Sequence, residues 1–402
     1  MSTRVYGSLC RIADFRNSNF DVCPLPKSEW ATGDYVECEV SGTPTSLYQM
    51  EDRAGHMVRV EPGDWVIGAL GDRAATLEGV GSWRSVGEDR VMHALTSAGL
   101  MGLYTSMSKL LPDPLQLNYR GHLCRRGRKV TMSEFAIRAD SHAFAVPTVL
   151  LLGTSMSAGK TTTGRRVCKV LDRAGRFVIG AKLTGAGRYR DILSFLKTGA
   201  TEIYDFVDAG LPSTVVEEGE YRRAIRPLLN HINDRAPDFL VAEAGASPIE
   251  PYNGSAAMAE LGGNSACTIL CASDPYAVVG VQNAFGIRPN LVTGPAAQTS
   301  AAVELVRKLA DLPAINVIDP AANAAFREFI LHTLGIAGHD QKIAEKMPGA
   351  RTHRAIQAGE GGLFGQRYFV ITKAVANADA DGVDVVVIRL RAERQDVRQR
   401  RR

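Results

Sequence analysis

The chain has 402 residues, which is long enough for two or three domains with a sizeable core. Its hydrophobic content of 45% and charged content of 22% are typical of a globular chain. No apolar run approaches the about 20 residues that span a bilayer, and the N-terminus lacks the apolar core of a signal peptide. We therefore expect a cytoplasmic protein with no membrane partner.

The cysteines and the charge distribution argue against two further kinds of partner. The seven cysteines are scattered, with no Cys-x-x-Cys pair and no histidine-rich cluster, so zinc binding is not expected. The net charge of +4 comes from residues 389–402, where seven arginines stand against Glu393 and Asp396. We interpret this tail as a solvated terminus, and we expect no nucleic-acid partner.

Residues 1–145 are predicted to form a β-rich N-terminal domain. Alternating runs at 33–40, 57–70 and 73–83 are punctuated by glycine and aspartate, a pattern typical of short strands joined by tight turns. They predict a small β-barrel or sandwich. One helix is expected near residues 91–110, where it would link this domain to the next.

From about residue 146 the pattern changes to strand, glycine turn and helix, repeated. The run VPTVLLLG at 146–153 is unbroken and apolar, as expected of a strand buried on both faces of a parallel sheet. Further strands are predicted at 176–184, 202–208, 238–245, 267–273, 289–294 and 314–319. Helices are predicted directly after residue 160, near 191–198, over 219–236 and over 297–312. The alternation predicts a doubly wound, mainly parallel α/β domain of the P-loop NTPase type at 146–337.

Residues 338–402 are treated as a C-terminal extension that carries the basic tail. Within it, the runs at 367–375 and 384–390 are apolar and alternate, so they could form a pair of strands.

The segment GTSMSAGKT at 153–161 lies between a predicted strand and a predicted helix. Gly159 lets successive backbone N–H groups turn toward a phosphate, and the helix directs its positive end at the same anion. Lys160 supplies a charge to the β- and γ-phosphates, and the Thr161 hydroxyl can bind Mg²⁺. The segment therefore predicts a site for Mg²⁺ and a nucleoside triphosphate such as ATP, or a cofactor that carries the same kind of phosphates. Its residues are Gly153, Thr154, Ser155, Met156, Ser157, Ala158, Gly159, Lys160, Thr161 and Thr162.

The spacing within this loop carries a first resemblance. Thr154 stands where the usual motif has its first glycine, and the loop resembles Gly-Thr-x-x-x-x-Gly-Lys-Thr of dethiobiotin synthetase. The strand DFLVAEAG ends in Glu243 and is similar to a strand of that family that ends Glu-Gly-Ala-Gly-Gly. A carboxylate at the end of a parallel strand points into the ligand crevice, so Glu243 is expected to bind Mg²⁺ together with Thr161. The resemblance implies ATP-dependent ligase chemistry.

Lys182 ends the next predicted strand, where its ammonium would face the terminal phosphate and a bound acceptor. Relatives of dethiobiotin synthetase place a lysine similarly. Lys160, Lys182 and Glu243 are therefore the predicted catalytic residues. The candidate substrate residues on the adjoining loops are Thr184, Arg188, Asp205, Asp208 and Ser247.

These candidates differ in what they offer a ligand. Arg188 can bind an anionic group. Asp205 and Asp208 end another strand on the same rim, where either could hold substrate or a water, or could cap a helix. The positive groups near the site predict a small anionic metabolite as the acceptor.

A longer resemblance covers about residues 146–320. The segments GTSMSAGKTTT, GAKLTGAG, AEAGASPIEPYNG and CTILCASDP are similar, in this order, to the P-loop half of the D-glutamate N-acetyltransferase-like family, formerly a domain of unknown function. Glu243, Ser247, Pro251 and Gly254 carry it most clearly, and Ala244 stands where that family has glycine. The resemblance implies acetyl-CoA as an alternative ligand.

Three functions are compatible with these patterns. The first is a Mg-ATP-dependent ligase or kinase that activates a small anionic metabolite by phosphoryl transfer. The second is an acetyl-CoA-dependent N-acyltransferase whose loop binds the CoA phosphates. The third is an NTP-binding regulatory or chaperone protein with the β-rich domain as its partner module. No Asn-Lys-x-Asp follows the strand PNLVTG, which argues against a GTPase, and we expect a homo-oligomer.

Overall fold

The structure is a computed structural model that describes residues 3–15, 20–42, 49–140, 142–245, 247 and 250–336. Its first part is built from short strands, because glycine and aspartate turns interrupt the alternating runs every few residues. The strands are β1 (Arg4–Tyr6), β2 (Asp21–Cys23), β3 (Tyr35–Val40), β4 (Gln49–Glu51), β5 (Met57–Arg59), β6 (Trp65–Leu70), β7 (Asp72–Ala75), β8 (Gly79–Ser82), β9 (Val91–Thr96), β10 (Leu100–Met107), β11 (Gln116–Arg125) and β12 (Arg128–Lys129).

Five of these strands close into a barrel. The pairings run β6–β3–β11–β9–β10, and β10 pairs with β6 again to complete the ring. Strand residues alternate between two sides: Val36 and Cys38 belong to one buried cluster, whereas Tyr35 and Ile67 belong to the large cluster that also contains the α/β sheet. The β-rich part therefore packs its second face on the rest of the chain. Of the two architectures expected from the sequence, the structure has the barrel.

The predicted helix near residues 91–110 is wrong, because the structure has β9 and β10 there. Gly99 adopts φ 91° and closes the turn between them, with its N–H donating to the Thr96 carbonyl at 3.2 Å. Two short apolar runs with a turn between them are together as long as one helix. Because periodicity does not distinguish a strand from a helix in short apolar runs, the sequence pattern was compatible with either.

The second part alternates strands and helices, as its long apolar runs and glycine turns predict. The strands are β13 (Thr148–Gly153), β14 (Val178–Thr184), β15 (Glu202–Asp205), β16 (Phe239–Ala244), β17 (Ser265–Cys271) and β18 (Leu291–Thr293). The helices are α1 (Lys160–Arg173), α2 (Tyr189–Leu196), α3 (Glu218–Asp234), α4 (Gly254–Leu261), α5 (Pro275–Phe285), α6 (Ser300–Ala310) and α7 (Asn323–Thr333).

The six strands form one parallel sheet in the order β15-β14-β16-β13-β17-β18. Helices α1, α2 and α7 cover one face, where Cys168 and Phe195 pack with Leu151 of β13. On the other face, residues of α3 to α6 share a buried cluster with Leu150 and with the barrel. This confirms the doubly wound, mainly parallel α/β fold, preceded by a β-rich region.

The expected strand at 314–319 is reduced to a single parallel bridge between Val292 and Ala314. Helices α4, α5 and α7 were not among the predicted elements. The proposed strand pair at 367–375 and 384–390 lies outside the described residues, and the domain limits at 145 and 337 stay predictions. Within the described part of the chain, no helix has the length and apolar character needed to cross a membrane.

Candidate phosphate site

The phosphate loop follows β13, whose six residues are all buried. Gly159 precedes α1 with φ 96°, a left-handed conformation that glycine adopts without strain. The Lys160 side chain is 2% exposed and donates from Nζ to the Ser155 carbonyl at 2.6 Å. A Cβ on Gly153 would lie only 2.4 Å from that Nζ. The loop therefore requires glycine at 153 to hold its lysine.

Neighbouring strands fix the outer side of this loop. The Thr154 N–H donates to the Cys271 carbonyl at 3.1 Å, and the Ser273 N–H donates to Thr154 Oγ1 at 2.9 Å. A Cβ on Gly294 would lie 2.3 Å from the Ala158 carbonyl oxygen, so the chain after β18 approaches the loop closely. Neither Ser273 nor Gly294 was predicted from the sequence; the glycine that ends the predicted strand at 289–294 was the available signal.

Thr161 and Glu243 meet as expected, since α1 begins beside the end of β16. Thr161 Oγ1 donates to Glu243 Oε2 at 3.0 Å, and Glu243 is 4% exposed. Burial raises the pKa of Glu243, and the charges of Lys182 and Lys160 oppose that rise.

This pair of oxygens fits Mg²⁺. Neighbouring ligands of an octahedral ion bound at about 2.1 Å are about 3 Å apart, close to the separation of Thr161 Oγ1 and Glu243 Oε2. A hydroxyl and a carboxylate are also the oxygen donors that this ion prefers.

Lys182 lies next to Glu243 on the neighbouring strand, in direct register. Its Nζ forms an ion pair with Asp191 Oδ2 at 2.8 Å, and the lysine is 6% exposed. Burial alone would lower the pKa of Lys182, but the Asp191 and Glu243 carboxylates outweigh burial and raise it. The pKa of Asp191 is lowered: burial opposes this shift, and the Lys182 ammonium overcomes it. The pair is therefore ionised at neutral pH.

Lys160 differs from Lys182 in its electrostatic surroundings. Burial lowers the pKa of Lys160, and the Glu243 carboxylate only partly compensates. A bound phosphate would supply the negative charge that Lys160 lacks.

Thr184 and Arg188 lie on either side of the glycine loop after β14. Thr184 is buried and donates to the Gly245 carbonyl at 3.0 Å. Arg188 is exposed and precedes the first residue of α2. Arg188 therefore remains accessible to an anionic ligand, whereas the Thr184 hydroxyl is engaged within the fold.

Asp205 and Asp208 are bound by Arg11, an arginine that lies in no sequence motif. Arg11 NH2 contacts Asp205 Oδ1 at 2.6 Å and Asp208 Oδ2 at 2.7 Å, and the guanidinium lies 4.6 Å from the centre of the Tyr189 ring. Burial raises the pKa of Asp205, and Arg11 opposes that rise. The two aspartates thus join the N-terminal part to the α/β sheet.

Ser247 lies on the loop after β16. Its N–H donates to Glu250 Oε2 at 2.6 Å, and the hydroxyl of Thr76 donates to Glu250 Oε1. The Tyr252 hydroxyl accepts from the Ala74 N–H at 3.0 Å. The turn after β7 therefore supports this loop.

Comparison with solved structures shows distant likenesses. No family model matches the sequence, and no curated protein matches it. FtsY from Mycoplasma mycoides is 12% identical, with a TM-score of 0.32, over 50% of this chain and 70% of that chain. HypB from Helicobacter pylori in complex with nickel is 16% identical, with a TM-score of 0.28, over 52% and 92%. A DUF1611 family protein from Anabaena variabilis is 15% identical, with a TM-score of 0.28, over 49% and 62%.

Likeness at this level transfers no activity, ligand or partner to this chain. The two families named from the sequence stay predictions. The strand–loop–helix at the phosphate site and the parallel sheet around it nevertheless have the arrangement of a P-loop domain. The chain therefore contains an α/β domain with the P-loop NTPase fold.

Proposed function

We propose that this chain is a Mg-ATP-dependent enzyme that transfers the terminal phosphoryl group to a small anionic metabolite, as a ligase or kinase. One observation carries the proposal: Lys160, Lys182, Thr161 and Glu243 converge at the carboxyl end of one parallel sheet. Two buried ammonium groups and a pair of oxygen ligands for Mg²⁺ supply the electrostatic stabilisation that phosphoryl transfer requires.

Each residue has a distinct task in this proposal. The loop N–H groups and the N-terminus of α1 bind the phosphates, and Lys160 holds the β- and γ-phosphates. Thr161 and Glu243 would hold Mg²⁺, which when bound neutralises charge on the phosphates. Lys182 donates to an oxygen of the transferring group and so keeps it in line with the acceptor.

The acceptor is proposed to be anionic because Arg188, directly before α2, is an exposed cation. Its guanidinium can bind a carboxylate or a phosphate through two parallel hydrogen bonds. Asp205 and Asp208 receive no part in acceptor binding, since both already bind Arg11.

The acyltransferase alternative makes less use of the observed site. Binding the phosphates of acetyl-CoA needs the loop and Lys160, but acyl transfer has no use for the Thr161–Glu243 pair. An NTP-binding regulatory protein would use the whole site for binding and would turn over slowly without a partner.

Binding assays separate these functions. The full chain is titrated with ATP, GTP and acetyl-CoA, each with and without Mg²⁺, and nucleotide hydrolysis is followed with candidate small acids. The Lys160→Ala variant tests the site. Lys169→Ala on the exposed side of α1 is the matched control, since it removes the same charge from the same helix.

We expect Mg²⁺-dependent ATP binding that Lys160→Ala abolishes and Lys169→Ala preserves. Tight acetyl-CoA binding without ATP affinity would overturn the proposal in favour of the acyltransferase. ATP binding with no turnover for any acid would favour the regulatory protein. If Lys160→Ala bound ATP like the unaltered chain, the site itself would be misassigned.

A further inference from the structure

Glu51, a residue of the N-terminal part, caps helix α2 of the phosphate domain. Its buried carboxylate accepts from the N–H groups of Tyr189 at 2.9 Å and Arg190 at 2.8 Å, the first two residues of that helix. The Ser8 hydroxyl donates to the same carboxylate at 2.6 Å. The residue that precedes the helix, Arg188, makes no side-chain cap bond. Helix α2 is thus capped by a residue 138 positions away in the sequence instead of by the residue that precedes it.

Other residues of the N-terminal part fix the same turn from its sides. A Cβ on Gly187 would lie 2.4 Å from Leu9 Cδ2, so Leu9 packs against the loop that leads into α2. Arg11 lies over the Tyr189 ring at 4.6 Å and binds Asp205, which is in register with Lys182. The first turn of α2 therefore has little freedom to move without the N-terminal part.

The third residue of that turn reaches the phosphate site. Asp191 binds Lys182 Nζ at 2.8 Å, and Lys182 lies beside Glu243 on the adjacent strand. A lysine side chain is flexible, so its ammonium lies where its ion-pair partner holds it. A displacement of α2 by about 1 Å would move that ammonium out of line with the reacting group.

We propose that Glu51 is a positioning residue: by fixing the first turn of α2, it makes Asp191 hold Lys182 toward the terminal phosphate of the bound nucleotide. This inference rests on the proposed function, because it assumes a triphosphate at the loop. It makes the N-terminal part a component of the site. A simpler role, in which Glu51 only stabilises the contact between the two parts, predicts a loss of stability without a change in phosphate discrimination.

The ratio of ATP affinity to ADP affinity isolates Lys182, since only ATP carries the terminal phosphate. The full chain with Mg²⁺ is titrated with each nucleotide by calorimetry, for Glu51→Gln, Asp191→Asn, Lys182→Met and the double variant Glu51→Gln/Lys182→Met. Glu37→Gln is the matched control, because Glu37 is a buried carboxylate of the barrel that binds Arg4 at 2.7 Å. Melting temperatures are recorded for all variants.

Losing a hydrogen bond to a charged group predicts a fall of about tenfold in the ATP:ADP ratio for Lys182→Met. Glu51→Gln and Asp191→Asn should lower the ratio in the same direction and leave ADP affinity unchanged. The double variant should have the ratio of Lys182→Met, because residues acting through one group are not additive. Glu37→Gln should keep the ratio of the unaltered chain.

An unchanged ratio in Glu51→Gln, with a lowered one in Lys182→Met, would overturn the inference and leave the proposed function intact. An unchanged ratio in Lys182→Met would overturn it as well. If Glu51→Gln does not fold, Ser8→Ala is used in its place, since this variant removes one hydrogen bond to Glu51 and keeps the carboxylate. A lowered ATP:ADP affinity ratio in Ser8→Ala would support the inference, and an unchanged ratio would overturn it. If Lys160→Ala still bound ATP, the proposed function itself would be overturned.

Discussion

Substituting Gly153 by alanine should weaken phosphate binding while the fold survives. The new Cβ would lie 2.4 Å from Lys160 Nζ, 2.9 Å from its Cδ and 3.1 Å from its Cε, distances that non-bonded carbon atoms do not tolerate. All three atoms belong to a flexible side chain, so the lysine can swing away and the strand need not move. The substitution therefore acts on the position of one ammonium group.

The magnitude follows from the interactions that Lys160 makes. The donor in its hydrogen bond to the Ser155 carbonyl is charged, so this bond contributes about 1.5 to 3 kcal/mol. The reduced freedom of the unfolded chain on replacing glycine by alanine offsets about 0.4 to 1 kcal/mol of that loss. The free energy of unfolding should thus fall by about 0.5 to 2.5 kcal/mol. Charge-assisted hydrogen bonds to phosphate contribute about 1.5 to 3 kcal/mol, so ATP affinity should fall by about 10- to 150-fold.

Calorimetric titration with Mg-ATP and a thermal melt measure these two quantities on one preparation. Gly280→Ala is the control glycine, because no atom lies within 4 Å of a Cβ placed there and α5 should gain about 1 kcal/mol from the better helix former. ATP affinity equal to that of the unaltered chain in Gly153→Ala would refute the reasoning. A large fall in melting temperature would refute it too, since it would mean that the strand rather than the lysine had moved.

Three further substitutions test other contacts. Glu243→Gln should weaken ATP binding only in the presence of Mg²⁺, since a carboxamide binds this ion less well; equal weakening without Mg²⁺ in the titration would contradict this role. Gly294→Ala should lower both ATP affinity and melting temperature, because its φ is 85° and a Cβ would meet the Ala158 carbonyl oxygen at 2.3 Å; unchanged values would be the contrary result. Glu260 binds Arg226 at 2.8 Å, and this hydrogen bond is the first cause of its lowered pKa. Glu260→Gln should therefore lower the free energy of unfolding in urea by about 0.5 to 1 kcal/mol at pH values above the unfolded pKa of about 4.3. This difference should disappear as the pH falls through the pKa of Glu260 in the folded protein. A difference that does not depend on pH would contradict this expectation.

The parts of the fold that could be predicted are those in which neighbouring residues decide the outcome. The apolar run before Gly153 leads directly into a phosphate loop, which favours a strand buried on both faces, and the helix after Gly159 follows from the loop itself. The segment at 91–110 was mistaken for a helix because a turn at Gly99 divides it, and one glycine within an apolar stretch does not determine whether the chain turns there.

Among the site residues too, only those determined by neighbouring residues could be predicted. Lys160, Thr161 and Glu243 could be assigned because each lies at a strand end or a helix start within a recognisable segment. Arg11 and Glu51 could not, since they reach their partners across 194 and 138 residues and neither belongs to a motif. Contacts of that range depend on how the barrel packs on the sheet, which no local pattern contains.

The charges in the site explain why nucleotide and metal should bind together. Lys160 and Lys182 face Glu243 and Asp191, so the ammonium and carboxylate charges already balance, and unbalanced charge is costly in a buried place. A triphosphate adds several negative charges. Protonation of Asp191 cannot offset these charges at neutral pH. Burial would raise the pKa of Asp191, but the Lys182 ammonium outweighs burial and lowers that pKa. Further positive charge comes from the N-terminus of α1 and from a cation held by Thr161 and Glu243, so the triphosphate should bind more tightly with that cation than without it.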